Sequence, residues 1–335
     1  MRHAPARFVQ MGNADWFDDH GFEQANVREE SAFTLEVRLN RNNSRFEFLE
    51  PIVVELKLTN TSHQPVLIDE ELLSMQEHMT VIIKKDGNPA SQFSPFVQYC
   101  LEEKKKVLSP GEPCYESLFV SVGKNGWDLS EPGHYTISIC LHLHDEDVVS
   151  NSLNLCILPP MKREEEVIAQ DYFSQDVGRI LSFDGSVTLE SGLNTLRKLV
   201  DSLKKSNAAL HAKIALASPL KQSYRILHIN GHRRAMNSAS NAKAEIRMLE
   251  TQPDEAQTKL ASALADDPKS AASSLGHIDY KWYMDKYSDW LFEMGKKDIA
   301  RDMQSILHKE LSTRKVLPRI LTEIKVRRDG YKKGK

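Results

Sequence analysis

The sequence predicts a multidomain protein of the β-plus-α class, an antiparallel β-sandwich followed by an all-α domain of helical hairpins. Apolar and polar residues alternate from Phe33 to Leu158, which is the period of half-buried strands. Beyond Pro159 and Pro160 the period becomes helical. The chain has 335 residues, enough for two domains, and 40% hydrophobic with 27% charged residues is typical of a globular protein.

Seven or eight short strands are predicted in the first domain. Phe33, Leu35 and Val37 share one face of the first strand, and the same alternation recurs along the chain. No helical period intervenes, so a parallel α/β fold is excluded and an antiparallel sandwich is indicated. The predicted strands begin near Phe33, Ile52, Gln64, Met79, Tyr115, Tyr135 and Leu153, with turns at 86–89, 109–112 and 131–133.

The turns of this domain carry a resemblance to known folds. Three segments resemble the turns and strand starts of bacterial immunoglobulin-like or fibronectin-III-like sandwiches: Glu50-Pro51-Ile52, 108–112 (LSPGE) and 131–135 (EPGHY). The resemblance covers about residues 31–158 and implies that Tyr135 anchors a corner. Such folds host many unrelated functions, so it implies a fold and no activity.

The second domain is predicted to be helical. Leu189, Leu196 and Leu203 belong to an apolar stripe at helical spacing. A second helix ends at Gly295 and is followed at once by another, which indicates a helical hairpin. Pro253 and Pro268 are expected to begin helices, whereas residues 224–241 have no clear period and are predicted to form a long loop.

Helical hairpins with small residues at the crossing resemble tetratricopeptide-like repeats. Counted back from Pro268, the repeat places four residues at its small or apolar positions: Ala244, Ala256, Leu260 and Ala263. Lys243 and Arg247 depart from the pattern. An unrelated helical bundle is the alternative.

These patterns divide the chain into five predicted segments. They are an N-terminal extension at 1–30, an immunoglobulin-like sandwich at 31–158, a linker at 159–166, a helical-hairpin domain at 167–316, and a basic C-terminal helix or tail at 317–335.

The net charge of −3 conceals a strong asymmetry. Residues 1–160 hold 13 lysines and arginines against 24 aspartates and glutamates, whereas residues 161–335 hold 31 against 23. Ten of these basic residues fall within 309–335, which has only three acidic ones. A tail of this kind can bind an acidic protein face, including the acidic sandwich of a second copy; it has too few interleaved aromatics to favour nucleic acid.

One candidate metal site is visible in the sequence. His142 and His144 lie two apart on a predicted strand, beside Asp145, Glu146 and Asp147. Imidazole and carboxylate groups that converge at a hairpin tip can hold a divalent metal, and the predicted ligands are His142, His144 and Asp145. No cofactor is otherwise predicted, and the solvated tip of a hairpin is the alternative interpretation.

Candidate partner-binding residues lie in the helical domain. The aromatic stripe around Tyr280 and Trp282 is wider than one buried face requires, and the tail supplies charged groups that could contact a partner. The predicted partner-binding set is Tyr280, Trp282, Arg327, Arg328, Lys332 and Lys333.

No catalytic residue is predicted, because the sequence lacks a G-x-S-x-G elbow, a phosphate-binding loop and a dinucleotide-binding turn. The sequence therefore favours a protein-interaction adaptor, scaffold or accessory subunit. One alternative is a metal-assisted hydrolase with its site at the domain junction. Another is a proteinase-inhibitor-like sandwich module.

The sequence also bears on the compartment. No apolar run approaches the roughly 18 residues of a membrane span, and an acidic stretch around Asp15 and Asp18 replaces the apolar core of a signal peptide. A cytoplasmic protein is expected, with a mature exported form as the alternative. Four widely spaced cysteines, without a C-x-x-C pair, are expected to be free thiols: Cys100, Cys114, Cys140 and Cys156.

Overall fold

A computed structural model describes residues 31–39, 41, 43–74, 78–96, 104–143, 146–230, 243–314 and 316–333. The chain divides into two compact units, Met1–Met161 and Lys162–Lys335, and this boundary lies inside the segment predicted as a linker. The first unit is built from antiparallel sheets and the second is mainly helical. The predicted β-plus-α fold class is confirmed.

The first unit contains short strands throughout its described part. Their bounds are β1 Phe33–Arg38, β2 Arg45–Phe46, β3 Val53–Asn60, β4 Val66–Asp69, β5 Met79–Lys85, β6 Ser91–Phe93, β7 Lys105–Leu108, β8 Pro113–Phe119, β9 Val122–Gly123, β10 Gly126–Trp127, β11 Gly133–His142, β12 Asp147–Val149 and β13 Leu153–Ile157.

Two sheets enclose the core of this unit. One has the order β1-β3-β8, and the other has the order β2-β13-β11-β5-β6 with β12 paired to β11. Alternation places Leu35 and Leu56 of the first sheet, and Ile137 and Ile83 of the second, in one buried apolar cluster. All these pairings are antiparallel except that of β2 with β13, which is parallel.

Tyr135 anchors a corner of the sandwich, as the resemblance implies. Its ring is buried, and its hydroxyl donates a hydrogen bond of 2.8 Å to the carbonyl oxygen of Glu131. The bond ties the start of β11 to the turn before it.

The strand that follows β11 is interrupted. Cys140 pairs with Val149 on β12, whereas Cys156 on β13 pairs with His134. The chain leaves its strand pairing with β11 around Ser150, whose hydroxyl accepts a hydrogen bond from the N–H of Ile139. The pairing of β13 with β11 is shifted by one residue relative to that of β12. Cys114, Cys140 and Cys156 are free thiols, and Cys100 lies outside the described residues.

The second unit contains helices and one β-ribbon. The helices are α1 Arg163–Tyr172, α2 Gln175–Ser182, α3 Glu190–Ser202, α4 Asn207–Ala217, α5 Pro253–Leu264, α6 Pro268–Leu275, α7 His277–Glu293, α8 Lys297–Ser312 and α9 Pro318–Lys333. The ribbon consists of β14 Tyr224–Asn230 and β15 Lys243–Leu249.

Several predicted helix boundaries agree with the structure. Pro253 and Pro268 begin α5 and α6, where a missing N–H costs nothing. The turn between α7 and α8 contains Gly295 at φ +77, a left-handed conformation that suits glycine. The two helices pack as the predicted hairpin, with Leu291 and Leu307 in the shared core.

The loop predicted at 224–241 is wrong for its first part, since Tyr224–Asn230 is a strand. The same ribbon overturns the repeat register counted back from Pro268. That register needs Ala244 in a helix, whereas Lys243–Leu249 pairs with β14 across its whole length.

The basic C-terminal segment is part of the helical core. Ile324 is 1% exposed and Tyr331 is 7% exposed, and both belong to the apolar cluster of α4 to α9. Residues 317–335, predicted as a basic helix or tail, therefore include a helix that packs into the core. The amphipathic spacing of Ile320, Ile324 and Tyr331 is hidden in the sequence by the surrounding lysines and arginines.

Candidate functional site

The predicted metal residues lie at and beyond the end of β11. His142 is the last residue of this strand, and its side chain is 25% exposed. His144 and Asp145 lie outside the described residues, so their part in a metal site stays a prediction. The structure brings His142 together with Asp147, one of the carboxylates of the predicted tip, and with Cys140, which the prediction did not include.

Strand register explains why these three side chains meet. Cys140 and His142 are two apart on β11 and share its outward face, while His142 pairs directly with Asp147 on β12. His142 Nδ1 lies 2.8 Å from Asp147 Oδ1 and 3.9 Å from Cys140 Sγ. The three potential ligand atoms all lie within 4.8 Å of one another.

A fourth residue holds the imidazole from its other side. Thr80 of β5 pairs with Cys140 across the sheet and shares the outward face. Its Oγ1 lies 2.8 Å from His142 Nε2. Both ring nitrogens of His142 therefore have a partner at hydrogen-bond distance, and the ring is fixed in orientation.

Cys140 is unusual for the outward face of a sheet, because it is only 1% exposed. Burial raises the pKa of its thiol to about 12, with a smaller contribution from the nearby Asp147 carboxylate. Such a thiol is not a reactive nucleophile at neutral pH. Direct coordination of a cation is the chemistry that would make it a thiolate.

Two of the predicted partner-binding residues lie together on α7, where they differ in exposure. Tyr280 is fully buried, and its hydroxyl donates to the carbonyl oxygen of Leu264, so its assignment to a binding surface is wrong. It lies on the core side of the stripe, next to Met284. Trp282 is 48% exposed, with Lys286 Nζ 5.7 Å from its ring centroid, and its binding role stays a prediction.

Two of the predicted basic residues of the tail form ion pairs within the second unit. Arg327 contacts Asp289 at 2.6 Å and Asp285 at 3.6 Å, while Arg328 lies 3.6 Å from Asp329. Lys332 and Lys333 lie at the end of α9 with side chains outside the described part of the chain. Arg327 therefore has a clear role in docking α9.

A surface that the sequence did not predict lies on the ribbon β14–β15. Directly paired residues of an antiparallel ribbon share a face, and Leu227 pairs with Ile246 while Arg225 pairs with Met248. On this face Leu227 is 60% exposed, Ile246 is 71% exposed and Met248 is 50% exposed. We call Leu227, Ile246 and Met248 the ribbon patch.

The ribbon differs from the other long two-stranded ribbon, β4–β7. There Leu67 and Val107 form a similar exposed pair, but Ile68 and Leu108 on the opposite face are buried in the core of the first unit. In β14–β15, none of the described side chains, 224–227 and 246–249, is buried. At the root of the ribbon, just after β15, Gln252 N–H donates to Leu220 O at 2.9 Å.

A cavity of about 520 Å³ lies at this root. Tyr224 and Leu249, from the face opposite the ribbon patch, line it together with Glu190, Arg197 and other residues of the helices. The acidic and basic groups of its wall pair with each other, as Arg197 lies 4.0 Å from Glu190. It is a recess whose wall has both polar and apolar groups.

A buried carboxylate elsewhere in the second unit has a structural role. Asp184 has φ +54 in the turn after α2, and the Tyr283 hydroxyl donates a hydrogen bond to its carboxylate. Burial raises the pKa of both groups and lowers that of the neighbouring Lys221. This contact fixes the turn against α7.

No protein-family model and no curated protein matches the chain. A β-glucosidase from Listeria innocua is 13% identical over 39% of this chain and 17% of its own, with a TM-score of 0.24. The matched segment is thus a minor part of that enzyme's length. In the part of the chain that the structure describes, no helix is long and apolar enough to cross a membrane.

Two smaller proteins show structural similarity to this chain at the same low level. A CARDB domain from Pyrococcus furiosus, solved in complex with di-metal ions, is 12% identical over 38% of this chain and 92% of its own, with a TM-score of 0.21. The sporulation control protein Spo0M from Bacillus subtilis is 9% identical over 42% and 54%, with a TM-score of 0.22. Likenesses this weak support no functional conclusion.

Proposed function

We propose that the protein is an interaction protein, an adaptor or accessory subunit, which binds an extended segment of another polypeptide on the ribbon β14–β15. The observation that carries this proposal is the exposure of the ribbon patch, in which Leu227 and Ile246 form a cross-strand apolar pair that is 60% and 71% exposed.

The physical argument begins with the stability of the ribbon. An isolated two-stranded ribbon is marginally stable in water and needs a packed face or a third strand. None of the described side chains of β14–β15 is buried or belongs to the core of the second unit, and the ribbon patch in particular is exposed. A partner that covered the ribbon patch would therefore stabilise both the complex and the ribbon.

The register also defines the chemistry of the partner. In the described part of the chain, β14 and β15 pair only with each other, so each strand has an outer edge that can accept another strand. Arg225 lies on the same face as the ribbon patch and is exposed. We expect a segment whose apolar residues alternate with polar ones and which carries an acidic residue near Arg225.

A random peptide library displayed on phage tests this expectation directly. Selection on the full-length protein should enrich extended apolar peptides that contain acidic residues. Affinity for a selected peptide should fall roughly 50- to 100-fold in the Leu227→Ser/Ile246→Ser variant, because about 2.5 kcal/mol of apolar burial is lost.

A matched control is available in the first unit. The Leu67→Ser/Val107→Ser variant removes a cross-strand pair of similar exposure, 61% and 56%, from another ribbon and should bind the peptide as tightly as the unmodified protein. Equal affinity of both variants would refute the proposal. A dimer in solution that the Leu227→Ser/Ile246→Ser variant abolishes would also refute it, because the occupant would then be a second copy.

A further inference from the structure

We propose that Cys140, His142 and Asp147 bind one divalent transition-metal ion of the zinc class on the outward face of β11 and β12. This site lies in the first unit and is independent of the ribbon patch. Its ligand set differs from the one that the sequence predicted, because Cys140 and Asp147 take the places of His144 and Asp145.

The distances fit a tetrahedral ion after small side-chain rotations. With bonds of about 2.0 Å to nitrogen and oxygen and about 2.3 Å to sulfur, tetrahedral ligands lie about 3.3 Å apart for N and O and about 3.6 Å apart for N and S. His142 Nδ1 lies 2.8 Å from Asp147 Oδ1 and 3.9 Å from Cys140 Sγ. The first separation must open and the second must close, each by less than about 0.6 Å. The third pair, Cys140 Sγ and the Asp147 carboxylate oxygen, lies within 4.8 Å and must come to about 3.6 Å.

Thr80 supplies the outer contact that a metal-binding histidine needs. Coordination through Nδ1 requires the ring proton on Nε2, and that proton needs an acceptor. Thr80 Oγ1 lies 2.8 Å from Nε2 and can accept it. The hydroxyl can donate to Nε2 when Nδ1 carries the proton, or accept from Nε2 when Nδ1 binds a metal, so Thr80 holds the ring in both states.

The donor set favours a particular class of ion. One sulfur, one imidazole and one carboxylate suit zinc or cobalt, whereas magnesium and calcium prefer oxygen ligands alone. Binding displaces the thiol proton of Cys140 to water. The ring proton that Nδ1 donates to the Asp147 carboxylate moves, through solvent, to Nε2, and the hydrogen bond between His142 and Asp147 is exchanged for two metal bonds. The fourth position would be open to water, as in zinc sites with three protein ligands.

Cobalt(II) is the probe for the first experiment, because a bond from thiolate to cobalt gives an intense near-ultraviolet charge-transfer band. Titration of the full-length protein should produce this band with a stoichiometry of one ion per chain, and added zinc should remove it. The band should disappear in Cys140→Ser. It should persist in Cys156→Ser, which removes a thiol from the neighbouring strand β13.

Two further variants separate ligation from folding. Asp147 is 45% exposed, so Asp147→Asn should fold normally and bind cobalt at least tenfold more weakly. Thr80→Val should weaken binding by about 10- to 100-fold, the range typical for outer-shell partners. The Thr80→Val protein should keep the charge-transfer band at saturating cobalt, because all three ligands remain.

The proposal fails if the unmodified protein shows no thiolate–cobalt band. It fails equally if the band survives in Cys140→Ser, because another thiol would then be the ligand. Unchanged cobalt affinity in a folded Asp147→Asn protein would exclude the carboxylate as a ligand.

Discussion

Asp128 in the first unit shows how one side chain makes stability depend on pH. Its Oδ2 atom is buried without a hydrogen-bond partner in the described structure, and its Oδ1 receives only a long contact of 3.5 Å from Ser91. Burial raises the pKa of the carboxyl from 3.8 to about 6. The folded protein therefore holds this proton more tightly than the unfolded chain does.

The sign of the effect follows from this difference in proton binding. Between about pH 4 and pH 6 the folded state binds more protons at Asp128, so this group's contribution to stability falls as pH rises. Asp128→Asn removes this contribution, so the slope of the unfolding free energy against pH should be more positive in the variant than in the unmodified protein over that interval. Urea denaturation at several pH values measures both slopes, and identical slopes would show that Asp128 titrates normally.

The Tyr135 corner gives a second prediction at this scale. Tyr135→Phe removes the hydrogen bond to Glu131 and keeps the buried ring, so it should cost about 1 kcal/mol of unfolding free energy. Tyr115→Phe is the control, because its hydroxyl has no hydrogen-bond partner among the described residues and its removal should have little effect. Urea denaturation compares them, and equal losses in both variants would contradict the anchoring role.

Among elements, α9 shows how charge can conceal a core helix. Its apolar residues pack against α7 and α8, and its Arg327 contacts Asp285, which also accepts a hydrogen bond of 2.9 Å from the buried Gln304. Removal of the helix would expose an apolar face and leave Asp285 without one of its cationic partners.

Deletion of residues 317–335 should therefore destabilise the second unit. We expect amide protons of α7 and α8 to exchange much faster with solvent, while those of β11 in the first unit keep their protection. A Lys325→Gln/Val326→Gln variant is the control, because it changes two exposed positions of α9 and leaves the packed face intact. Unchanged exchange in α7 and α8 after the deletion would show that α9 does not support the unit.

The ribbon is the element that sequence patterns could least predict. Alternation reveals a strand when one face is buried, as in β1, whose exposed and buried residues alternate without a break. Residues 226, 227 and 229 of β14 are all aliphatic, so both faces carry apolar groups and no period of two emerges. An unburied ribbon therefore gives a weak sequence signal for the same reason that it offers a binding surface.

At the scale of the whole molecule, the sequence predicts the class and order of the two units well. Long alternation and long helical stripes record which faces are buried, and the burial of apolar surface is the main driving force of folding. The candidate metal site was only half predictable. His142 is visible as a candidate ligand, but its meeting with Cys140 and Asp147 depends on the exact register of β11 with β12, which residue alternation alone does not give.

The distribution of charge is also a property of the whole chain, and the structure shows that part of the basic tail is paired within its own unit. The sequence predicts self-association between the acidic sandwich and the basic tail, and this stays a prediction. Arg327 already has acidic partners within its own unit. The ribbon patch depends instead on apolar contact, so its binding should resist salt far more than a charge-based contact would.

Site-specific photo-cross-linking tests the central claim most directly. A photoreactive residue placed at Ile246 of the full-length protein, in the cells that produce it, should yield a covalent adduct with a different polypeptide. The same residue at Val107, which is 56% exposed on the other ribbon, should yield none. Equal adducts at both positions, no adduct at Ile246, or an adduct made of two copies of this chain would contradict the proposed function.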